Sequence, residues 1–175
     1  MAYVTKGQQL DYDLTQSRID GFYPDLVECQ MTYGILLAHP SESNPDRPPL
    51  ISRGFPVTGD VSKSNPKQRV LGALDVTITL DGPFWATLDD DEKAAEIDHW
   101  LYRLQLQRDK KTKVYKTDDA HRPIFKMRAH DKEVGVYDEV VRRHGRKAPE
   151  SKAVEDLSLH YNTLLPPNGN VKSTE

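Results

Sequence analysis

The sequence predicts an α+β fold, a small twisted sheet with two principal helices packed on it. Three stretches carry that prediction. Met31 to Ala38 is a short apolar run followed by Pro40, the pattern of a buried strand. Val76, Ile78 and Leu80 alternate with Asp75, Thr77 and Thr79, the period of a half-buried strand. Ala94, Ile97, Leu101 and Leu104 recur every three or four residues, the stripe of a helix with one buried face.

At 175 residues the chain is long enough for one domain and an extension. With 29% charged and 37% hydrophobic residues it can fill one modest core. The longest purely apolar run, Gly34 to Ala38, falls far short of the ~20 residues of a membrane helix. The opening MAYVTKGQQLDYD has no apolar leader, so export is not expected. A lone Cys29 excludes an internal disulfide and an all-cysteine zinc site, and suits a reducing cytoplasm. The net charge of -3 hides an uneven layout: residues 1–100 hold 8 Lys/Arg against 16 Asp/Glu, and residues 101–150 hold 14 against 8. Such a basic segment can meet an acidic partner such as nucleic acid, although a solvated basic face has the same composition.

Taken in order, residues 1–30 form an N-terminal helical segment, with a helix from Thr5 to Ile19 ended by Gly21 and Pro24. A strand covers 31–38. Residues 39–67 carry six prolines (40, 45, 48, 49, 56 and 66) and read as a long Pro-rich loop. The sheet resumes over 69–80, and Asp81-Gly82-Pro83 turns the chain so that Phe84 and Trp85 cover the sheet edge or the core. The first principal helix spans 88–106. Thr87 is placed to cap it with Asp90, and Asp89, Asp90, Asp91 and Glu92 suit the positive end of its dipole. A hairpin follows, pairing Lys113–Lys116 with Ile124–Met127 around Asp118-Asp119. The second helix spans 132–144, with Val136, Tyr137, Val140 and Val141 inward and Gly145 as its stop. Residues 146–175 make a partly disordered extension with one amphipathic piece, Ala153 to Leu164.

Of the six histidines, His39, His121 and His160 sit in or beside turn-like sequence, and His144 suits the negative end of a helix. His99 and His130 differ in what surrounds them. His99 lies inside Glu96-Ile97-Asp98-His99-Trp100-Leu101-Tyr102-Arg103, and His130-Asp131 directly precedes the second helix. Together with the lead-in Trp85-Ala86-Thr87-Leu88 and the terminator Arg143-His144-Gly145, this order resembles the metallopeptidases carried by many bacteriophages, which are related to SprT-like zincins. The resemblance runs from Arg69 to Gly145. It implies a helix bearing Asp-His-Glu-Leu-x-His, a basic hairpin, and a third zinc ligand at His130.

The departure falls on the chemistry. Two imidazoles at i and i+4 share a helix face and can meet one zinc at ~2.0–2.1 Å, and the glutamate between them takes the proton of the zinc-bound water. In this sequence the glutamate position holds Trp100 and the second histidine position holds Arg103. An indole accepts no proton, and a guanidinium offers no lone pair. His99 and His130 alone cannot close a tetrahedral site, though His121 or Asp131 could add a donor. Asp98 and Tyr102 lie about 100° round the helix from His99. Arg103 instead puts a fixed positive charge where the metal would sit, able to hold His130, Asp131 or a nearby glutamate, while Trp100 would fill the emptied cleft or extend onto the surface. The plainer reading makes His99 a satisfied core histidine.

The resemblance therefore implies a non-catalytic pseudo-metallopeptidase of phage type, without a cofactor, acting in the bacterial host cytoplasm. Its expected partner is a host protein, and blocking a host defence or nuclease is a natural role. The acidic run Asp89 to Glu92 and the Pro-rich loop offer docking faces. Two alternatives stand beside it. One is a zinc metallopeptidase with an unusual ligand set. The other is a nucleic-acid binder using the basic 103–147 region, with Arg108, Lys110, Lys111, Lys113, Lys116, Arg142 and Arg143 on phosphate. A virion component is also compatible with the sequence.

Overall fold

The computed structural model describes residues 2–129 together with 143, 144, 152 and 154, and the chain divides into compact units of residues 1–129 and 130–175. Among the described residues no helix is long and apolar enough to cross a membrane. The predicted helix 132–144 and extension 146–175 lie outside the described residues, apart from the helical Arg143, His144, Lys152 and Val154. The first unit is α+β, as expected.

Strand β1 (Tyr3–Lys6) leads into helix α1 (Gln9–Phe22), a short α2 (Pro24–Glu28) and strand β2 (Tyr33–His39). A small hairpin, β3 (Ile51–Ser52) with β4 (Phe55–Pro56), precedes β5 (Gly59–Lys63) and α3 (Pro66–Val70). Strand β6 (Val76–Asp81), helices α4 (Gly82–Thr87) and α5 (Asp90–Tyr102), then β7 (Leu104–Leu106) and β8 (Phe125–Met127) complete the unit. The main sheet has the order β1-β2-β6-β5. β2 and β6 run parallel, with Ile35 opposite Ile78, while β1 and β5 are antiparallel edges.

Ile35, Val76 and Ile78 are fully buried, and they meet Ile19, Leu26, Ile97, Trp100, Leu101 and Phe125 in one core. The alternation at 76–80 therefore puts Val76, Ile78 and Leu80 inward, with Thr77 and Thr79 half-buried. Helix α1 turns Asp11, Thr15 and Ile19 inward at a spacing of four.

Several boundaries differ from expectation, each for a local reason. The N-terminal helix starts later because Tyr3–Lys6 pairs with Leu36–His39 as an edge strand, all of it exposed and so without an apolar signature. The Pro-rich stretch is not all loop, since Gly59–Lys63 pairs with Val76–Leu80. Residues 69–74 are not strand. Asn65 caps α3 through Gln68, Pro66 fixes its first turn, and Gly72, at φ +86, ends the turn that follows. Asp81 caps an additional helix through the Phe84 amide at 3.0 Å, so Gly82-Pro83 starts α4 instead of reversing the chain.

Helix α5 is capped by Asp89, not Thr87, in a capping box with Glu92. It ends at Tyr102, and Leu104–Leu106 becomes the strand that pairs with Phe125–Met127. The predicted partner 113–116 instead folds between those strands, with the Lys116 amide on Gln107 O and the Ile124 amide on Lys116 O. This hairpin is a separate two-stranded sheet. It is tied to the main sheet where Lys63 Nζ donates to Phe125 O at 3.0 Å.

Candidate functional site

Helix α5 presents three faces. Ile97, Trp100 and Leu101 point into the core; Asp98 faces α1; His99 is exposed. Trp100 retains only 5% of its accessible surface. Its Nε1–H donates to Glu96 Oε1 at 2.8 Å, one turn back on the same helix, so burial leaves no unpaired donor there. The indole lies against β5, where Gly59 supplies the room a side chain would take. The position where the sequence resemblance expects a general base thus holds a packed aromatic.

The His99 ring stands edge-on to Trp100, with centroids 4.7 Å apart and planes at 86°. Arg103 lies over the same indole, its Cζ 5.4 Å from the ring centroid. Its Nε–H is enclosed and has no hydrogen-bond partner among the described residues. His99 and Arg103 therefore both pack on the Trp100 indole. Of these three side chains only His99 carries a lone pair a metal could use. Among the described residues no three His, Cys, Asp or Glu side chains form a metal-binding group. The described donor set does not fit a zinc ion. His130 and Asp131 lie outside the described residues.

The adjoining face of α5 carries an arrangement that sequence spacing did not reveal. Asp98 accepts from Arg18 Nε at 3.0 Å and from its Nη2, bridging α1 and α5 across 80 positions. Tyr23 Oη donates to the Asp98 backbone oxygen at 3.0 Å. Burial, with Asp98 beside it, pushes the Tyr23 phenol up to about 12. The hydrogen bond to Asp98 raises the Arg18 guanidinium further above its ordinary range. Beyond Tyr23 opens a cleft of about 750 Å³, lined among others by Phe22, Tyr102, Leu104, Arg108 and Arg128. Only the helical periodicity of Asp98 and Tyr102, one turn apart, hinted that they share a surface.

Among the basic residues, Lys110, Lys111, Lys113 and Lys116 are exposed. Arg108 is paired with Asp25 at 2.9 Å and with Glu28, and those hydrogen bonds raise its affinity for its proton. Arg143 is exposed and helical, and Arg142 lies outside the described residues. The remaining described histidines fall at the periphery. His39 ends β2 with Nε2 3.0 Å from Thr5 Oγ1, His121 is exposed in the left-handed region at φ 59, and His144 is exposed. His160 lies outside the described residues.

A buried ionic cluster fixes the hairpin to the sheet. Asp75, 1% exposed, accepts from Thr32 N and Oγ1 at 2.9 and 2.7 Å and from Arg122 Nε at 3.0 Å. Arg69 donates to Asp118 at 3.0 Å and to Pro123 O at 2.8 Å, with its Nε 3.8 Å from Asp75. Two arginines thus balance two aspartates, which suits a structural cluster.

Comparison with known proteins gives one family. A family model described as "putative phage metallopeptidase" matches residues 44–162. No curated protein and no solved structure matches.

Proposed function

This chain belongs to the phage metallopeptidase family, its match covering residues 44–162, and from that premise we propose that it is a non-catalytic member that binds a host protein. The observation that carries the reading is the state of Trp100. An indole 5% exposed and hydrogen-bonded to Glu96 stands where a hydrolase of this kind needs a carboxylate facing water. Arg103, where the second imidazole would be, is stacked on that indole. Reversing the change at Trp100 means dismantling core packing, which supports reading the pair as a replacement for the metal centre and not as a variant of it. What remains is a rigid scaffold whose surface is available for recognition.

A host protein suits the surface better than nucleic acid. Asp89, Asp90, Asp91 and Glu92 make an acidic helix start, and Arg108 is already neutralised by Asp25 and Glu28. Among the described residues of the first unit, the basic track that is left lies at the exposed lysines of the hairpin. The test is affinity capture by the tagged chain from a bacterial host lysate. An intact partner recovered in stoichiometric amount, with binding that persists at high salt, supports the reading. A partner recovered cleaved restores the peptidase, and retention of nucleic acid alone favours the hairpin lysines.

A further inference from the structure

We propose that the cleft between α1–α2 and the end of α5 is a recognition site for a protein segment presenting a carboxylate beside an apolar side chain. The inference rests on the binding reading above and names where that binding occurs.

Its volume of about 750 Å³ lies within the range of roughly 300–1,000 Å³ that holds one ligand-sized group. Phe22 and Tyr102 stand at its lips, 63% and 49% exposed, over a floor that includes Leu26, Leu104 and Leu106. Exposed aromatics around an apolar floor are the usual anchors of protein recognition.

Charge decides what the cleft admits. Arg18 is paired with Asp98, and Arg108 with Asp25 and Glu28. Arg128 is different. Its Cζ sits 4.1 Å above the centroid of Tyr102, and its enclosed Nε–H has no acceptor among the described residues. No ion pair to Arg128 occurs among the described residues, whereas Arg108, the other guanidinium of the lining, and Arg18, which pairs with the lining residue Asp98, both have carboxylates. A guanidinium held over a ring keeps its planar fork in place, which favours a bidentate carboxylate. Asp25 and Asp98 on the lining are already compensated by Arg108 and Arg18, so Arg128 presents a single positive charge, which one carboxylate matches and a polyphosphate does not. The backbone reinforces the placement, because the Arg128 amide donates to Arg103 O at 2.7 Å and so fixes the Arg128 backbone at the end of α5. His99 and Trp100 are not part of the cleft lining, which separates it from the motif face.

The test is a titration of the metal-free full chain followed by NMR of the arginine Nε–H signals and the Tyr102 ring. Three probes are used: N-acetylphenylalanine as its carboxylate, the corresponding amide, and a short oligothymidylate. The carboxylate is expected to shift Arg128 and Tyr102 saturably, and the amide to bind about tenfold more weakly. Arg128→Gln should abolish that difference, while Arg128→Lys, keeping charge without the fork, should retain part of it. Equal binding of acid and amide, shifts confined to other residues, or preferential binding of the oligothymidylate would each overturn the proposal. Because no readout involves metal or cleavage, the cleft can fail here while the non-catalytic reading stands, and zinc binding elsewhere would leave this titration untouched.

Discussion

The indole of Trp100 rests on Gly59: a Cβ built at Gly59 would stand 2.7 Å from Trp100 Nε1 and 2.8 Å from Cε2. The aromatic at position 100 and the missing side chain on edge strand β5 therefore depend on each other. A residue that had merely lost its catalytic role on a surface would have no such partner.

Trp100→Ala should destabilise the chain by about 3–5 kcal/mol, as for other buried aromatics. Gly59→Ala should cost about 1–3 kcal/mol through overpacking, since Thr79 O also stands 3.0 Å from the added carbon. The double variant should cost less than the two together, because the alanine at 59 loses its clash with the indole and keeps only the contact with Thr79 O. Urea unfolding of the four proteins measures this directly, and simple additivity would show that the contact carries nothing.

Asp75→Ala should be among the most damaging single changes, about 3–5 kcal/mol, because it takes from Arg122 its carboxylate and leaves Arg69 with Asp118 alone. Both chemical and thermal unfolding should show the loss. A change below about 1 kcal/mol would mean that water replaces the carboxylate at no cost.

Tyr23 should ionise only near pH 12, against an ordinary value of 10.0. The folded state favours the neutral phenol, so its contribution is complete below about pH 10 and is lost as pH rises towards 12. Tyrosine Cζ chemical shifts across that range should show Tyr23 titrating late. Tyr23→Phe should flatten the alkaline fall in stability, and a phenol titrating near its ordinary value would refute the account.

Arg103→His restores an imidazole one turn from His99, and the variant should bind zinc more tightly than the unaltered chain. Calorimetric titration checks it. Hydrolysis should not return with it, since Trp100 still occupies the place of the base.

Much of this was legible in the residues. The alternation at 76–80 placed β6, the stripe through Ile97 and Leu101 placed α5, and the identities at 100 and 103 are what set this chain apart from the motif the resemblance implies. Other features left no local mark. Strand β1 is exposed at all four positions, so no period betrays it, and β5 sits among prolines that read as loop. The cap at Asp89 and not Thr87 was a choice between two good cappers, decided by the reach of Glu92. Contacts such as Arg18 with Asp98 or Arg122 with Asp75 join residues far apart in sequence, and a single sequence carries no signal for them.

The claim at the centre is that an indole and a guanidinium have taken the place of a zinc site. Metal analysis of the chain, purified without added zinc and then dialysed against it, tests that most directly. The expected result is zinc far below one equivalent, unchanged by His99→Ala. One equivalent of zinc, lost on His99→Ala, would contradict it.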